Sequence, residues 1–504
     1  MLNKYRFPDP LSLIVTNSNN QPNHIAIQEN KRKITYKEFI DLADSMAYQF
    51  RKKRKHPKVL IYLPQSIEAY ASMIGCLQAG GIYSPIGINT PYEKQKLILS
   101  QFEPDLIITD QNKLKVFSKN CEVVDISDVS QQSLGYISEP HELAYVIFTS
   151  GTTGIPKGVK ISRQALAHYI DWVLSEMKIS QFDRWSQHPN VGFDLSVLDI
   201  YGSLCGGATL VPVNNARDKL FPLDFIKKNK LTIWNSVPSV VDLMIKSNKM
   251  KYEYLSSLRM FTFCGEPLHK HHLEAIFKVC PEVTVQNTYG PTEATVSFTS
   301  IKLNKNNFLQ ACDGNNVAFG DPIPRMEINL INGKNKNEGE LVISGPQLSN
   351  GYWNDNTKTK QAFKTIVLNG TDRFVYMTGD YCYKKSGNNF FYSRIDNQIK
   401  INGYRLELGE VDSAFNSAGV KICCTIKHGE KIYTFIQDQN NLNMKDINSY
   451  IFKVLPSYGI PSNIFIMKNI PRNSNDKIDR HALAEYCDNF KNNKKQKFKG
   501  FNYG

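Results

Sequence analysis

Short apolar runs recur along the chain with helix-period segments between them, and this alternation limits the folds open to it. Residues 58–63 read as a strand, and residues 67–79 as a buried helix that ends at Gly80-Gly81. Residues 105–109 read as another strand, and residues 143–148 form a continuous apolar run before a turn-rich segment. Ser162 is placed to N-cap a helix running to about Lys178. Residues 209–213, 232–236 and 260–263 are further short strands. Parallel strands need crossover connections and cannot leave a face in water, so this rhythm implies an α/β fold. Its sheet is mostly parallel, with helices on both faces.

From about Ile323 the pattern changes to strands punctuated by glycine, residues 339–344 and 390–393 among them, which suggests a β-rich subdomain. After Asp396 comes an α+β segment of about a hundred residues, enough for a small domain. No internal repeat is visible. No stretch reaches the roughly 18 unbroken apolar residues that a membrane span requires, so no membrane insertion is expected. No apolar run follows a basic start, so no signal peptide is expected and a cytoplasmic location is.

The net charge of +14 fits an acidic partner or simply a lysine-rich composition. The basic clusters at residues 51–58 and 491–499 read as the end of an amphipathic helix and as a solvated tail. No nucleic-acid partner is expected without aromatic interleaving. The ten cysteines include no Cys-x-x-Cys spacing, and most are expected to be small buried hydrophobes. His269, His271 and His272 read as a solvated helix start rather than a metal site.

The densest local signal is Thr149-Ser150-Gly151-Thr152-Thr153-Gly154-Ile155-Pro156-Lys157-Gly158. Its glycines leave backbone N–H groups open, its hydroxyls add donors, and Lys157 adds a point charge, so the loop is suited to wrap a phosphate. Walker-loop spacing cannot be read through it. Asn287-Thr288-Tyr289-Gly290-Pro291-Thr292-Glu293-Ala294-Thr295 offers an aromatic ring, an amide and a carboxylate from one turn. A ring can stack on a base, an amide can read its edge, and a carboxylate can hold Mg²⁺. A structural turn with an exposed Glu fits that segment equally well.

In order along nearly the whole chain, these two segments are joined by Phe193-Asp194-Leu195-Ser196, Cys264-Gly265-Glu266, Gly339-Glu340-Leu341 and Tyr376-Met377-Thr378-Gly379-Asp380. Arg394-Ile395-Asp396-Asn397-Gln398-Ile399-Lys400, Gly403-Tyr404-Arg405 and Asn475-Asp476-Lys477-Ile478-Asp479-Arg480 follow. The set resembles the adenylate-forming superfamily of acyl-CoA ligases, luciferases and amino-acid adenylation domains. Residues 193–201 with Phe263-Cys264-Gly265-Glu266 look most like its D-alanine-activating, carrier-protein branch.

The resemblance implies a two-step reaction. A carboxylate attacks the α-phosphate of ATP to give an acyl-adenylate and pyrophosphate, and a thiol then takes the acyl group. Positioning and charge stabilisation are what a protein contributes to displacement at phosphorus. Thr149, Ser150, Gly151, Thr152, Thr153 and Gly154 would hold the leaving phosphates with Lys157, and Glu293 would bind Mg²⁺. Asn287, Thr288, Tyr289, Gly290, Pro291 and Thr292 would surround the adenine. Asp380 would accept from the ribose hydroxyls, with Tyr392, Ser393, Arg394 and Ile395 close by. Lys477 would reach the α-phosphate and the substrate carboxylate.

Asp194 would pair with an amino acid's ammonium, since a buried carboxylate is costly without a partner. Nearby backbone N–H groups are its alternative partners. Cys264 and Val296 would leave room for about a methyl group, or be plain core. A large N-terminal domain, residues 1–395, would hinge at Asp396 to a small mobile domain, residues 396–504. After Arg480 only 24 residues remain, too few for a carrier domain. The expected partner is therefore a separate phosphopantetheinylated carrier protein.

Three positions depart from the pattern. Gly87 stands where an aspartate is expected, Ser393 replaces a glycine before Arg394, and Asp476 replaces a glycine before Lys477. Two other readings stay open: an acyl-CoA ligase acting on another carboxylic acid, and a catalytically silent nucleotide-binding homologue.

Overall fold

The computed structural model describes residues 7–110, 121–129, 131–135, 139–151, 154–368, 370–396, 398–401, 403–429, 431–439, 442–472 and 478–492. It contains two compact units. The first is formed from residues 1–88, 101–148 and 158–395, and the second from residues 89–100, 149–157 and 396–504.

The first unit is built on two large sheets. In one, the order is Glu122–Asp125, Leu106–Thr109, Lys58–Tyr62, Ile82–Pro85, Leu143–Thr149, Lys157–Ser162. Its first five strands pair in parallel. The nine-stranded sheet has a parallel centre of Thr284–Tyr289, Met260–Phe263, Ile233–Ser236, Arg184–Gln187, Thr209–Pro212 and Ile25–Glu29. Antiparallel strands close both of its edges. Central strands such as Ile233–Ser236 and Met260–Phe263 are buried at every residue, as strands covered on both faces must be. The β-rich part is an antiparallel sheet in which Thr371–Lys385 pairs with Glu338–Ser344, Phe363–Leu368 and Asn388–Arg394.

The α/β class and the β-rich subdomain are as the sequence implies, with local differences. Ser162 caps its helix through Ala165 N–H at 3.0 Å, but the helix ends at Met177, because Lys178 turns left-handed at φ 48°. The helix Pro10–Asn20 has no counterpart in the pattern described above, whereas Tyr36–Lys53 is the amphipathic helix that the basic cluster beginning at Arg51 ends. The second opens on a Thr35/Glu38 capping box, a signal that was present in the chain.

A polar stitch in the core holds the helix Leu195–Cys205 against the nine-stranded sheet. Asp199 Oδ1 accepts from Trp185 Nε1 at 3.0 Å and from Asn235 Nδ2 at 2.6 Å, and Thr262 Oγ1 donates to Asn235 Oδ1 at 2.7 Å. All four residues are fully buried. Burial lifts the Asp199 carboxyl well above the usual carboxylate range, against the hydrogen bonds from Asn235 and Trp185.

In the second unit a hairpin, Gln398–Ile401 with Tyr404–Glu407, leads into the helix Leu408–Ser417. A sheet of Cys423–His428, Lys431–Gln437 and Asn463–Met467 follows. Its middle strand alternates faces: Ile432 and Ile436 belong to the cluster with Val411, Phe415, Ile447 and Ile451, while Tyr433 and Phe435 pack with Leu483 and Cys487. None of the ten cysteines is in a disulfide, and most are buried.

This stitch carries a consequence. Asp199→Asn keeps the Oδ1 acceptor without a charge to bury, and should change unfolding free energy in urea by less than about 1 kcal/mol. Asp199→Ala strands the Trp185 and Asn235 donors and should cost about 3 kcal/mol.

Candidate active site

The parallel strands of the nine-stranded sheet all open their carboxyl ends toward one edge, where α/β proteins place their ligands. Asp194 follows the strand Arg184–Gln187, Cys264 follows Met260–Phe263, and Asn287 to Val296 straddle the end of Thr284–Tyr289. Crossover topology therefore collects at one edge three motifs that are far apart in sequence.

At the end of Thr284–Tyr289, Asn287 Nδ2 donates to the Ala318 carbonyl at 2.8 Å, which orients its Oδ1 as the acceptor end. An adenine amino group needs such an acceptor. The Tyr289 ring packs at 4.9 Å from Phe319 and 5.6 Å from Phe298, and its hydroxyl donates to Asp380. Burial, with Asp380 beside it, pushes the Tyr289 phenol well above its usual range. Thr288 Oγ1 donates to the Phe263 carbonyl at 3.0 Å, a structural bond.

Glu293 lies in the short turn Thr292–Ala294 and is fully buried, so the reading of an exposed Glu does not hold. Its Oε1 accepts from the Tyr352 hydroxyl at 2.8 Å. The next two residues, Thr295 and Val296, have φ of 55° and 70°. Such values are strained for β-branched side chains. Gln347, with no exposed surface, clamps this segment: its Nε2 donates to the Thr295 and Ser297 carbonyls at 3.3 and 3.1 Å, and its own carbonyl accepts from Thr295 Oγ1 at 2.8 Å. Neither Gln347 nor Tyr352 carries a local sequence signal, because each matters only through a contact made across the fold.

Asp380 and Arg394 are cross-strand partners. Arg394 Nη1 donates to Asp380 Oδ1 at 2.8 Å and to the Thr378 carbonyl at 2.6 Å. With Tyr289 on Oδ2, each Asp380 oxygen retains a lone pair for a diol. Tyr392 and Ile395 are exposed, and Ser393 is half-buried opposite Tyr381.

Asp194 is buried and immediately precedes the helix Leu195–Cys205, without making a side-chain cap bond to it. Cys264 Sγ lies 3.9 Å from the Val296 carbonyl, so these two are brought together. Tyr169, fully buried on the helix Arg163–Met177, bonds Ser297 Oγ at 3.1 Å, one residue beyond Val296. At the departure position, a Cβ on Gly87 would stand 2.7 Å from the amide of Asn190, whose Oδ1 accepts from Gly192 N–H. Asn190 fills the space that a side chain at 87 would need.

In the second unit, the phosphate-loop candidate turns tightly. Gly154 N–H bonds the Gly151 carbonyl at 3.0 Å, and a Cβ on Gly151 would stand 2.1 Å from the Ile155 carbonyl oxygen. Thr149 Oγ1 reaches the Lys157 carbonyl at 3.4 Å. Lys157 Nζ lies 3.6 Å from Glu407 Oε1. Thr152, Thr153, Asn397 and Lys477 lie outside the described residues, as does Asp476.

The histidine cluster gains Asp242 from another helix, with the ligand atoms of Asp242, His271 and His272 within 4.8 Å of one another. His272 Nδ1, however, accepts from the His269 backbone N–H at 3.1 Å. A neutral His272 ring then carries its proton on Nε2, 3.2 Å from Asp242 Oδ2. The nitrogen that would ligate a cation is thus protonated.

Fold and crevice together define an adenylate-forming enzyme. The chain belongs to the AMP-binding enzyme family, which matches residues 14–353. It is 32% identical over 482 residues to the D-alanine–D-alanyl carrier protein ligase of Staphylococcus aureus strain Newman, covering 92% of this chain and 96% of that protein. The Vibrio cholerae adenylation domain AlmE, solved with glycyl-adenosine-5'-phosphate, has a TM-score of 0.85 at 24% identity, over 97% of this chain and 99% of that one. An NRPS protein containing adenylation and PCP domains has a TM-score of 0.83 at 20% identity, over 96% and 85% of the two chains. These two structures show the shared fold. Among the described residues, no helix is long and apolar enough to cross a membrane.

Burial lowers His272 from the ordinary 6.5 to about 4, against the raising effect of Asp242. The unfolded chain then binds this proton first, so stability holds above about pH 6.5 and falls as pH drops toward 4. Thermal melting at pH 7 and pH 5 should show an acid-side loss that is smaller in His272→Gln, by about 1–2 kcal/mol.

Proposed function

We propose that this chain is an ATP-dependent amino-acid ligase. It makes an aminoacyl-adenylate, with D-alanine the first-choice substrate, and passes the aminoacyl group to the phosphopantetheine thiol of a separate carrier protein. Asp194 carries the reading. A buried carboxylate at the carboxyl edge of the parallel sheet suits an ammonium, and Cys264 and Val296, in contact with each other, would leave room for about a methyl group. The named activity of the Staphylococcus aureus relative supports the same choice.

On this reading Asp194 fixes the amino acid and turns its carboxylate toward the α-phosphate. Asn287 accepts from the adenine amino group, and Asp380, braced by Arg394, accepts from the ribose hydroxyls. Glu293, held by Tyr352, is the carboxylate suited to Mg²⁺, which when bound neutralises phosphate charge and orients the oxygens. The loop Thr149 to Gly154 and Lys157 stabilise the leaving pyrophosphate, and Lys477 stabilises charge at the α-phosphate. The chain's positive charge favours encounter with an acidic carrier.

An ATP–pyrophosphate exchange panel with D-alanine, L-alanine, glycine and a fatty acid tests the reading, and D-alanine should give the fastest exchange. Asp194→Ala removes one partner of a buried charge pair worth about 3–5 kcal/mol, so exchange should drop several hundred-fold or more. Normal alanine exchange in that variant would sink the ammonium role. Cys264→Ala should narrow the D/L ratio without abolishing activity, since a methyl-sized group is discriminated by about 1–3 kcal/mol. Labelled amino acid should load onto holo-carrier at a rate that falls with salt. Efficient transfer to free CoA without a carrier would instead mark an acyl-CoA ligase.

A further inference from the structure

The phosphate loop of the second unit already faces two acceptors. Ser150 Oγ donates to the Arg405 carbonyl at 2.6 Å, and Lys157 Nζ stands 3.6 Å from Glu407 Oε1. Arg405 and Glu407 lie two residues apart on the strand Tyr404–Glu407. A hydroxyl and an ammonium suited to anions thus meet a carbonyl oxygen and a carboxylate from one short segment. The Lys157 and Glu407 side chains are only 11% and 3% exposed, so the pair is largely shielded from solvent screening.

Glu407 stands at the N-cap of Leu408–Ser417, and its side chain makes no cap bond there. The start of that helix is held separately: Lys94 Nζ pairs with Glu410 Oε1 at 2.9 Å. The Lys157–Glu407 contact is longer than that pair. A loose, buried ion pair can be displaced by a ligand with more charge, because a polyphosphate presents several anionic oxygens where Glu407 presents one carboxylate.

We propose that Glu407, with the Arg405 carbonyl, acts as an internal phosphate mimic. It holds Lys157 and Ser150 when no phosphate is present, and it must be displaced when the triphosphate or pyrophosphate binds. Glu407 is therefore a positioning residue that acts through Lys157. It weakens the retention of pyrophosphate and so favours its release once the adenylate has formed. This rests on the reading of Lys157 as a phosphate ligand. The exchange is non-covalent: one anion replaces another at the same ammonium, and no proton or electron needs to move.

The test is calorimetric titration of the full chain with magnesium pyrophosphate. Wild type is compared with Glu407→Gln, Glu407→Asp, Lys157→Met and the double variant Lys157→Met/Glu407→Gln. Removing the competing charge in Glu407→Gln should tighten pyrophosphate binding by about tenfold, the size of an ordinary coupling between contacting groups. Glu407→Asp, which keeps the charge on a shorter arm, should fall between wild type and Glu407→Gln. Lys157→Met should weaken binding, and in its background Glu407→Gln should have no further effect. General damage to the fold would weaken binding, so tightening separates the proposal from a structural role. Unchanged affinity in Glu407→Gln, with weakening in Lys157→Met, overturns the mimic and leaves Lys157 as a phosphate ligand. Unchanged affinity in Lys157→Met overturns the phosphate reading itself. Equal tightening by Glu407→Gln in both backgrounds shows a general charge effect and also overturns the mimic. Should Glu407→Gln fail to fold, Glu407→Asp carries the decision by the same signs.

Discussion

Parallel strands buried on both faces leave an enzyme of this kind one place for polar chemistry. Each strand is followed by a crossover, so the carboxyl ends of successive strands open along the same edge. Within the layers a polar side chain needs partners, and Asp199 finds them for its Oδ1 in Trp185 and Asn235. At the edge the demand relaxes, and Asp194, Cys264 and the segment from Asn287 to Val296 collect there. The helix that the Asp199 stitch holds in place is the one whose start carries Asp194.

The buried acids of the crevice depend on their neighbours. Asp380 leans on Arg394 and Tyr289, and Glu293 on Tyr352. These contacts orient carboxylate oxygens before any ligand arrives, the kind of preorganisation that electrostatic catalysis requires. The strained Thr295–Val296 backbone belongs to the same arrangement. Gln347 holds it by three carbonyl contacts, and residues kept at such φ values tend to cluster at functional sites.

Much of this was legible from the chain. The run at 143–148 and the loop after it, the helix capped by Ser162, and the short strands at 209, 232 and 260 stand close to where pattern and capping chemistry put them. Of the first fifty residues, the amphipathic helix that ends in the basic cluster was legible, but Pro10–Asn20 was not, because no side-chain cap bond and no charged first or last turn marks it. The fifteen-residue strand Thr371–Lys385 was not legible, because it runs through Gly379 at φ 69°, a conformation that interrupts a local strand pattern. Gly87 departs from the expected aspartate, and Asn190, far along the chain, occupies the space a side chain there would need.

By itself the sequence determined the α/β class, the order of the motifs and the residue types that a nucleotide and an amino acid would need. Those properties follow from local periodicity and from the chemistry of single side chains, both written in consecutive letters. Only the tertiary structure decided which groups meet: Tyr169 on Ser297, Gln347 under Thr295, Tyr352 on Glu293, and Glu407 against Lys157. Lys157 and Glu407 are 250 positions apart. No local pattern can encode such a contact, because a pair's charge and burial take effect only once crossovers and hairpins have closed the distance between them.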